Sequence, residues 1–420
     1  MPDNIEFLSQ IGEKVCDTES KNASLPDYLN GIFYCSQVEN DTIATQVFAA
    51  VAFVLLMVVA LTGNSVVMWI IYEHKVMHHG FNFFLFNMAF ADLLIALFNV
   101  GTSWTYNLYY DWWFGDLCIL TSFFGIAPTT VSVFSMMALS WDRCQAVVNP
   151  LKKRPLSRRR SLIAISCIWL ISTITALPFA LAANVSTIYM YDLESSKLVV
   201  RKLCASPVNS MFDHMLFFIQ YAVPLFVLSF TFARIAMAFR TTDEATGNNS
   251  KANNHTRAKS KAVKMLALMV FAFMFCWLPY HLYHTFELSN FIAGPNAKYI
   301  YLAIYWVAMS SSAYNPIIYC FANERFRIGF RYVFRWMPLV ECKREAYEYS
   351  QLFPDKMRSM AISLQKGKCL KEPSYLLEKQ SKEFSSFTCQ TSPDIVQCVI
   401  GTEKPKKPSR TALLSCHNAD

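Results

Sequence analysis

The sequence predicts an all-α membrane protein: a bundle of seven transmembrane helices followed by an amphipathic membrane-surface helix. Of the 420 residues, 54% are hydrophobic and only 16% are charged, which is too apolar for an ordinary soluble chain. The apolar residues are gathered into seven runs of about 20 or more, and a helix of that length crosses roughly 30 Å of hydrocarbon. Composition and distribution together therefore indicate membrane spans.

The predicted spans are numbered 1 to 7 in chain order. They cover residues 46–72, 82–104, 117–148, 162–182, 211–239, 262–288 and 299–321. The chain then consists of an external N-terminal tail at 1–46, a membrane domain at 47–322, a surface helix at 323–336 and a cytoplasmic tail at 337–420. No cleavable signal peptide is visible, so we expect span 1 to act as the insertion signal.

The distribution of charge predicts the orientation. Residues 144–160 hold six basic residues and no acid, whereas the first 45 residues hold eight acids and two lysines. Because Lys and Arg favour the cytoplasmic side in short loops, the N-terminus is predicted outside and the C-terminus inside the plasma membrane. The net charge of +8 then indicates contact with anionic lipid rather than nucleic acid. External Asn-x-Ser/Thr triplets predict glycans at Asn22, Asn40 and Asn184.

Residues 323–336 place apolar side chains on one helical face and arginines around it. The apolar face contains Phe326, Phe330, Val333 and Phe334. This pattern predicts an amphipathic helix on the inner leaflet, and the alternative is the start of a soluble helix.

Polar groups inside membrane spans are costly and indicate function. Asn64 in span 1, Asp92 in span 2 and Asn315 in span 7 are such groups, and Ser132 in span 3 can face them. Because a lone carboxylate in hydrocarbon would be neutralised, we expect a water-filled polar cluster. One interpretation places a sodium ion at Asp92, Ser132 and Asn315, and the alternative is a hydrogen-bonded packing network without an ion. No other cofactor is expected.

Two further motifs are an acid–base pair at the end of span 3 and a proline inside span 6. Asp142-Arg143 ends span 3 beside the basic loop, so that the acid and the guanidinium can pair at the membrane edge. Trp277-Leu-Pro279 places a proline inside span 6, which removes a backbone hydrogen bond and predicts a kink beside a large indole. A purely packing role is the alternative for the kink.

Taken span by span, these residues resemble the signatures of class A, or rhodopsin-like, G-protein-coupled receptors. The matching positions are Asn64, Asp92, Cys118, Asp142, Arg143, Trp169, Pro224, Cys276, Trp277, Pro279, Asn315, Pro316 and Tyr319. The resemblance covers residues from about 47 to 336. It implies a receptor rather than an enzyme, with a heterotrimeric G protein as its partner.

Within this class the chain is similar to the tachykinin, or neurokinin, peptide receptors. The similarity rests on Gly-Asn-Ser-Val-Val-Met-Trp-Ile-Ile-Tyr-Glu-His-Lys in span 1 and Ser-Ser-Ser-Ala-Tyr-Asn-Pro-Ile-Ile-Tyr-Cys in span 7. It implies a tachykinin-like neuropeptide ligand, signalling through the Gq and calcium pathway, and arrestin and receptor kinases as partners of the tail. A receptor for a different peptide is the alternative.

The family's peptide-pocket positions can be carried over residue by residue. They match this sequence at Asn99, Tyr106, His281 and Tyr301. At two other pocket positions the chain departs from the family, because Ser103 and Phe179 replace an Asn and a Gln.

The resemblance also implies roles in activation. The side chains expected to repack around the span 6 kink are Val133, Pro224, Phe273 and Trp277. The polar residues expected to take part in activation are Asp92, Ser132, Asn315 and Tyr319, together with Pro316, which follows Asn315. Arg143 and Leu151 are expected to contact the G protein, and membrane-edge packing is the alternative for Leu151.

The inner end of the bundle departs from the family pattern. Cys144 and Phe232 stand where Tyr residues are usual, and Lys259 stands where some receptors place an acid that holds Arg143. We therefore expect Arg143 to have only Asp142 as a charged partner and basal activity to be raised.

The resemblance implies a disulfide between Cys118 and Cys204, which would restrain the second external loop. Cys16 and Cys35 are candidates for a second bridge, and free thiols or a bond to another chain are the alternatives. Cys342, near the end of the surface helix, is a candidate for lipidation.

Other functional classes fit the sequence less well. An opsin needs a lysine in span 7 where Met309 stands, and amine receptors carry an Asp where Gly125 stands. A membrane transporter or channel is the alternative from another class, but the paired half-chain repeats typical of transporters are not visible.

Overall fold

The structure is a computed structural model that describes residues 5–16, 33–36, 42–149, 157–192, 196–246, 250–286, 296–338, 340, 342–365, 387–392 and 395–400. Seven long helices correspond to the seven predicted spans. Their bounds are Ile43–Glu73, Gly80–Tyr109, Leu117–Val148, Arg158–Ala182, Ser210–Phe217 continuing as Val223–Thr246, Ser250–Thr285 and Ala297–Ala322. The helices of spans 1 to 6 are long and apolar enough to cross a membrane. Span 7 falls outside that group and carries Lys298, three consecutive serines and Asn315, all of them buried.

Two spans contain a π-helical turn and five contain a proline. The π-helical turns are Ile95–Val100 in span 2 and Phe218–Ala222 in span 5. The prolines are Pro128, Pro178, Pro224, Pro279 and Pro316. In a membrane, neighbouring helices must satisfy the backbone groups that such irregularities release. The Tyr221 hydroxyl in span 5 donates to the Met274 carbonyl in span 6, 3.1 Å away, just over one turn before Pro279.

Large apolar side chains cover the outside of the bundle, as expected for a lipid-facing surface. Phe226, Phe271 and Phe275 are examples that are more than half exposed. Small residues lie where the spans approach most closely. A Cβ atom added to Gly63 in span 1 would lie 2.8 Å from Cβ of Pro316 in span 7, so only glycine fits at this contact.

A small sheet, which the sequence analysis does not predict, lies at the end of the bundle that carries the Cys118–Cys204 disulfide. We call this the disulfide end. Strands β2 (Asn184–Asp192) and β3 (Lys197–Ala205) form an antiparallel hairpin between spans 4 and 5. Strand β1 (Phe33–Ser36), from the N-terminal tail, pairs with β2 in parallel.

The described parts of the N-terminal tail are folded against this sheet. The helix Ile5–Cys16 contributes Leu8 to a small core that also contains Phe33 and Tyr191. Cys16 is disulfide-bonded. The prediction of a mostly helical membrane bundle is confirmed, with a helix and a strand added within the tail.

At the opposite end, which we call the Arg143 end, the surface helix Glu324–Val333 follows span 7. Phe326 is fully buried against Tyr319, with ring centroids 5.3 Å apart. The helix ends three residues before the predicted limit of 336. That it lies on the inner leaflet stays a prediction.

Beyond residue 328 the chain forms a unit of its own. It contains the helices Arg344–Glu348 and Pro354–Gln365 and the hairpin of β4 (Phe387–Ser392) and β5 (Ile395–Ile400). Tyr347 stacks on Tyr332 at 3.7 Å and meets Phe353 edge-on at 5.2 Å. Glu348 pairs with Arg344 and Lys356, which lowers the pKa of its exposed carboxyl.

Candidate functional site

A cavity of ≈ 410 Å³ lies among spans 2 to 7 at the disulfide end, and we call it the pocket. Its volume is in the range of small-ligand sites. All four residues carried over from the family line it: Asn99, Tyr106, His281 and Tyr301. The fold thus brings the four together, and their contact with a ligand stays a prediction. Ser103 and Phe179, the two departures, line the same pocket.

Asn99 is held from two sides. The Tyr305 hydroxyl in span 7 donates a hydrogen bond to Asn99 Oδ1. Asn99 Nδ2 fills the space beside Gly125 in span 3, because a Cβ atom on that glycine would lie 2.8 Å from it. The position at which amine receptors carry an acid is therefore closed by an amide.

Aromatic rings form the wall of the pocket along spans 6 and 7. The Tyr301 ring centroid lies 4.9 Å from that of Tyr283 and 5.9 Å from that of His284. Tyr280 packs on His284 at 4.5 Å. Such rings offer a large apolar contact area together with polar edges that can hydrogen-bond a ligand.

His281 lies deeper, surrounded by aromatic rings of spans 5 and 6. Its centroid is 6.0 Å from Phe217, 5.3 Å from Tyr221 and 5.8 Å from Trp277. The side chain is 4% exposed, and its Nε2 atom has no hydrogen-bond partner among the described residues. A buried nitrogen that lines a cavity in this way is available to a ligand.

Several residues that were not predicted from the sequence also line the pocket, among them Asp213, Gln220 and Trp112. Gln220 Nε2 donates to Thr130 Oγ1 at 2.8 Å and to the Ile126 carbonyl at 3.1 Å. A polar residue inside an apolar span is a signal that could have identified Gln220. Trp112 lies in a loop without periodicity, so no comparable signal marks it.

The entrance to the pocket is fixed by covalent and hydrogen bonds. The disulfide implied by the resemblance is present and joins Cys118, at the start of span 3, to Cys204 in β3. The backbone N–H of Trp112 donates to the Lys202 carbonyl at 2.8 Å, and its indole donates to the Gly115 carbonyl at 2.7 Å. The loop before span 3 is therefore attached to the hairpin.

Trp277 lies at the base of the pocket and is nearly fully buried. Its indole Nε1 donates to Ser311 Oγ in span 7 at 3.0 Å, and its ring stacks on Phe273 at 5.7 Å. Val133 and Pro224 are buried in spans 3 and 5. Their repacking around the kink stays a prediction.

The polar cluster forms below Trp277. Asn315 Nδ2 donates to Asp92 Oδ2 at 2.8 Å, and Ser132 Oγ donates to Asp92 Oδ1 at 3.5 Å. Asn64 Nδ2 donates to the backbone carbonyl of Ser312 at 2.9 Å. Spans 1, 2, 3 and 7 are thus joined through polar groups.

The cluster suits a cation in part. Asp92 offers a carboxylate and Ser132 a hydroxyl, both buried. Asn315, however, turns its Nδ2 donor toward Asp92, where a cation would require an oxygen. Within the described chain, Asn64 Oδ1 and the Tyr319 hydroxyl are buried without a partner.

Arg143, near the C-terminal end of span 3, has two partners. A guanidinium nitrogen lies 3.7 Å from the Asp142 carboxylate, and the guanidinium carbon lies 3.9 Å from the centroid of the Phe81 ring. The sequence analysis identified the acid but not the ring. Next to it, Cys144 packs with Ile235 of span 5 and Val263 of span 6, so the three spans are closed together.

Of the other predicted sites, the structure describes some and leaves others outside the described residues. Asn184 begins β2 and is exposed, which suits a glycan acceptor, whereas Asn22 and Asn40 lie outside the described residues. Leu151 also lies outside them. Cys342 is half-buried, and its Sγ donates to the Lys343 carbonyl at 3.9 Å.

The chain was also compared with known proteins. The family described as 7 transmembrane receptor (rhodopsin family) matches residues 63–319. The Probable G-protein coupled receptor tkr-1 of Caenorhabditis elegans is 67% identical, and the match covers 99% of both chains. The human Substance-P receptor is 33% identical over 69% of this chain and 72% of its own length. The Drosophila melanogaster Tachykinin-like peptides receptor 99D is 33% identical over 72% of this chain and 60% of its own.

Proposed function

Because the chain belongs to the rhodopsin family of seven-transmembrane receptors, we propose that it binds a tachykinin-like neuropeptide and activates a heterotrimeric G protein. The pocket carries this proposal, since aromatic walls with a few polar groups suit a peptide's side chains. Relatives named as receptors for substance P, neuromedin K and tachykinin-like peptides support the choice of ligand. A different peptide is the second candidate, favoured by Ser103 and Phe179.

The disulfide end faces the outside of the plasma membrane in this proposal. Disulfides persist in oxidising compartments, and the basic residues of 144–160 suit the cytoplasmic side. The N-terminus is then extracellular and the C-terminus cytoplasmic. The tail beyond the surface helix would then face the cytoplasm, where arrestin and receptor kinases act, and Cys342 would be a site for a lipid anchor.

Signalling would follow from different affinities of the peptide for two arrangements of the bundle. A ligand that displaces His281 presses on Trp277, which is hydrogen-bonded to span 7 through Ser311. Span 6 then pivots at Pro279, and its inner half leaves Cys144 and exposes Arg143. The family favours Gq and a calcium response. We also propose that Asp92 binds sodium, which would require the Asn315 amide to turn its oxygen inward.

The test is expression of the full chain in cells, with surface levels measured. Substance P, neuromedin K and a library of C-terminally amidated peptides are applied, and calcium and cyclic nucleotides are recorded. We expect a calcium response to an amidated, aromatic peptide and its loss in Arg143→Ala at equal surface level. No response to any peptide would contradict the proposal, and a purely cyclic-nucleotide response would contradict Gq.

A further inference from the structure

One corner of the pocket, between spans 5 and 6, contains three polar groups that the described chain does not satisfy. Asp213 lines the pocket, and within the described residues it makes no hydrogen bond or ion pair. His281 Nε2 and Thr285 Oγ1 line the same pocket, and neither has a partner there. These two side chains are only 4% and 7% exposed. Buried polar atoms without partners are rare in native proteins and call for an explanation.

Helix geometry places the three groups together. Asp213 lies one turn outward of Phe217 in span 5, and Thr285 lies one turn outward of His281 in span 6. Residues four apart share a helix face and differ by about 6 Å in height. Because the Phe217 and His281 rings are in contact at 6.0 Å, Asp213 and Thr285 both lie just above this contact, toward the pocket mouth.

The corner is selective by charge. Asp213 is the only Asp, Glu, Lys or Arg residue among the described residues that line the pocket. It lies in the first turn of the span 5 helix, where the helix dipole favours a negative charge. An unpaired carboxylate accepts hydrogen bonds and donates none. The complementary ligand group is therefore a cation with several N–H donors.

The surroundings distinguish a guanidinium from an ammonium. The rings of Tyr280 and His284 pack on each other at a tilt of 50°, with centroids 4.5 Å apart, and Phe217 lies one turn below Asp213. A guanidinium stacks on aromatic rings and spreads its donors in a plane, so one group can reach Asp213, Thr285 and His281. A compact ammonium is more strongly hydrated and loses more on entering such a site.

We propose that this corner is a specificity subsite that binds an arginine side chain of the peptide through Asp213, Thr285 and His281. The subsite rests on the proposed function, because it presumes a peptide in the pocket. It makes Asp213 a specificity-determining residue and restricts the ligand to peptides that present a guanidinium beside an aromatic side chain.

The experiment uses a library of C-terminally amidated peptides that contain arginine. Each peptide is made in a second form in which citrulline replaces the arginine. Citrulline has nearly the shape of arginine but no charge. The full-length receptor is compared with Asp213→Asn, Asp213→Glu and Asp116→Asn. Asp116 is a matched control, because it is exposed at the start of span 3 and does not line the pocket. Calcium potency and surface level are measured for each.

We expect active peptides to be about 10- to 100-fold more potent in the arginine form on the unmodified receptor and on Asp116→Asn. Asp213→Asn should remove this preference while keeping the potency of the citrulline form, and Asp213→Glu should restore part of it. The unchanged citrulline response shows that Asp213→Asn still folds.

Three results would overturn the subsite while leaving a peptide receptor in place. The first is equal potency of the arginine and citrulline peptides on the unmodified receptor. The second is an Asp213→Asn receptor that still prefers the arginine peptide. The third is full potency of a peptide that contains no arginine. Failure of every peptide to activate the receptor would instead reject the proposed function, and the subsite with it.

Discussion

At the level of single residues, the shape of the pocket depends on Gly125, because a glycine has no side chain to fill the space beside it. Gly125 leaves room for the Asn99 amide, whose oxygen accepts the hydrogen bond from Tyr305. Asn99 thus joins spans 2, 3 and 7 in the wall of the pocket. Any group added at Gly125 must displace Asn99 and break this bond.

We predict that Gly125→Ala destabilises the receptor by about 1–3 kcal/mol and lowers peptide potency, since its methyl group would overlap Asn99. Thermal unfolding of the purified receptor and dose–response curves measure both effects. Gly101→Ala is the matched control, because its methyl group would meet its neighbours at ordinary contact distances of 3.5 Å and more. Equal melting temperatures for the two variants would show that Asn99 moves aside at no cost.

Tyr301 is the pocket residue whose ring contacts span 6 most extensively, through Tyr283 and His284. Replacing it by Ala should weaken peptide potency by about 2 kcal/mol, or roughly thirtyfold, without loss from the surface. Tyr299→Ala removes a ring from the same helix but outside the pocket, and should leave potency unchanged. Unchanged potency after Ala substitution of Asn99, Tyr106, His281 and Tyr301 in turn would reject the transferred pocket.

The sequence identifies such residues better than it identifies their partners. Arg143 and Asp142 are adjacent in the chain, so their pairing could be predicted. Phe81 is distant in sequence, and its position over the guanidinium depends on how span 2 meets span 3. Asp213 was missed for a related reason. Its importance depends on its lacking a partner in the folded chain, and the sequence does not show which residues surround it.

At the level of elements, the spans follow from their hydrophobic runs and the sheet does not. Each span satisfies its own backbone, so its existence can be predicted from local composition. A strand satisfies its backbone through a partner: β1 depends on β2, which lies on the far side of four spans in the sequence. The N-terminal strand could not be anticipated before this pairing was known.

The hairpin β2–β3 depends on the disulfide for its place over the pocket. Cys118→Ser or Cys204→Ser should abolish peptide binding or surface delivery, because loss of such a bridge typically costs about 2–5 kcal/mol. Radioligand binding and surface labelling are the measurements. Cys167→Ser, at an exposed cysteine of span 4, should leave both unchanged. A single Cys118 or Cys204 variant with full function would show that the bridge is dispensable.

At the level of the whole molecule, the contacts of Arg143 and its neighbours are individually weak. The Arg143 to Asp142 pair is partly exposed, and such pairs contribute about 0–1 kcal/mol. The contact with Phe81 adds about 0.5–2 kcal/mol. The Cys144 cluster adds apolar packing but no hydrogen bond from span 6 to Arg143 within the described chain. Small restraints of this kind would suit the proposed change between two arrangements, and raised basal activity stays a prediction.

The final prediction separates signalling from binding. Arg143→Ala, and separately Leu151→Asp, should reduce peptide-stimulated nucleotide exchange to background while leaving peptide affinity within about threefold. Arg143 is the cation that the opened cavity would present to the G protein, and Leu151 supplies an apolar contact that a buried charge would disrupt. Arg234→Ala, at an exposed arginine of span 5, is the matched control and should keep exchange near normal. All variants are compared at equal surface level. Arg143 lies more than four helical turns along span 3 from Ile126, the pocket residue nearest to it on that span, so its substitution should leave peptide affinity intact. If exchange persists in both substituted receptors, the G protein binds a different face of the bundle, and the outward movement of span 6 would have to expose other residues.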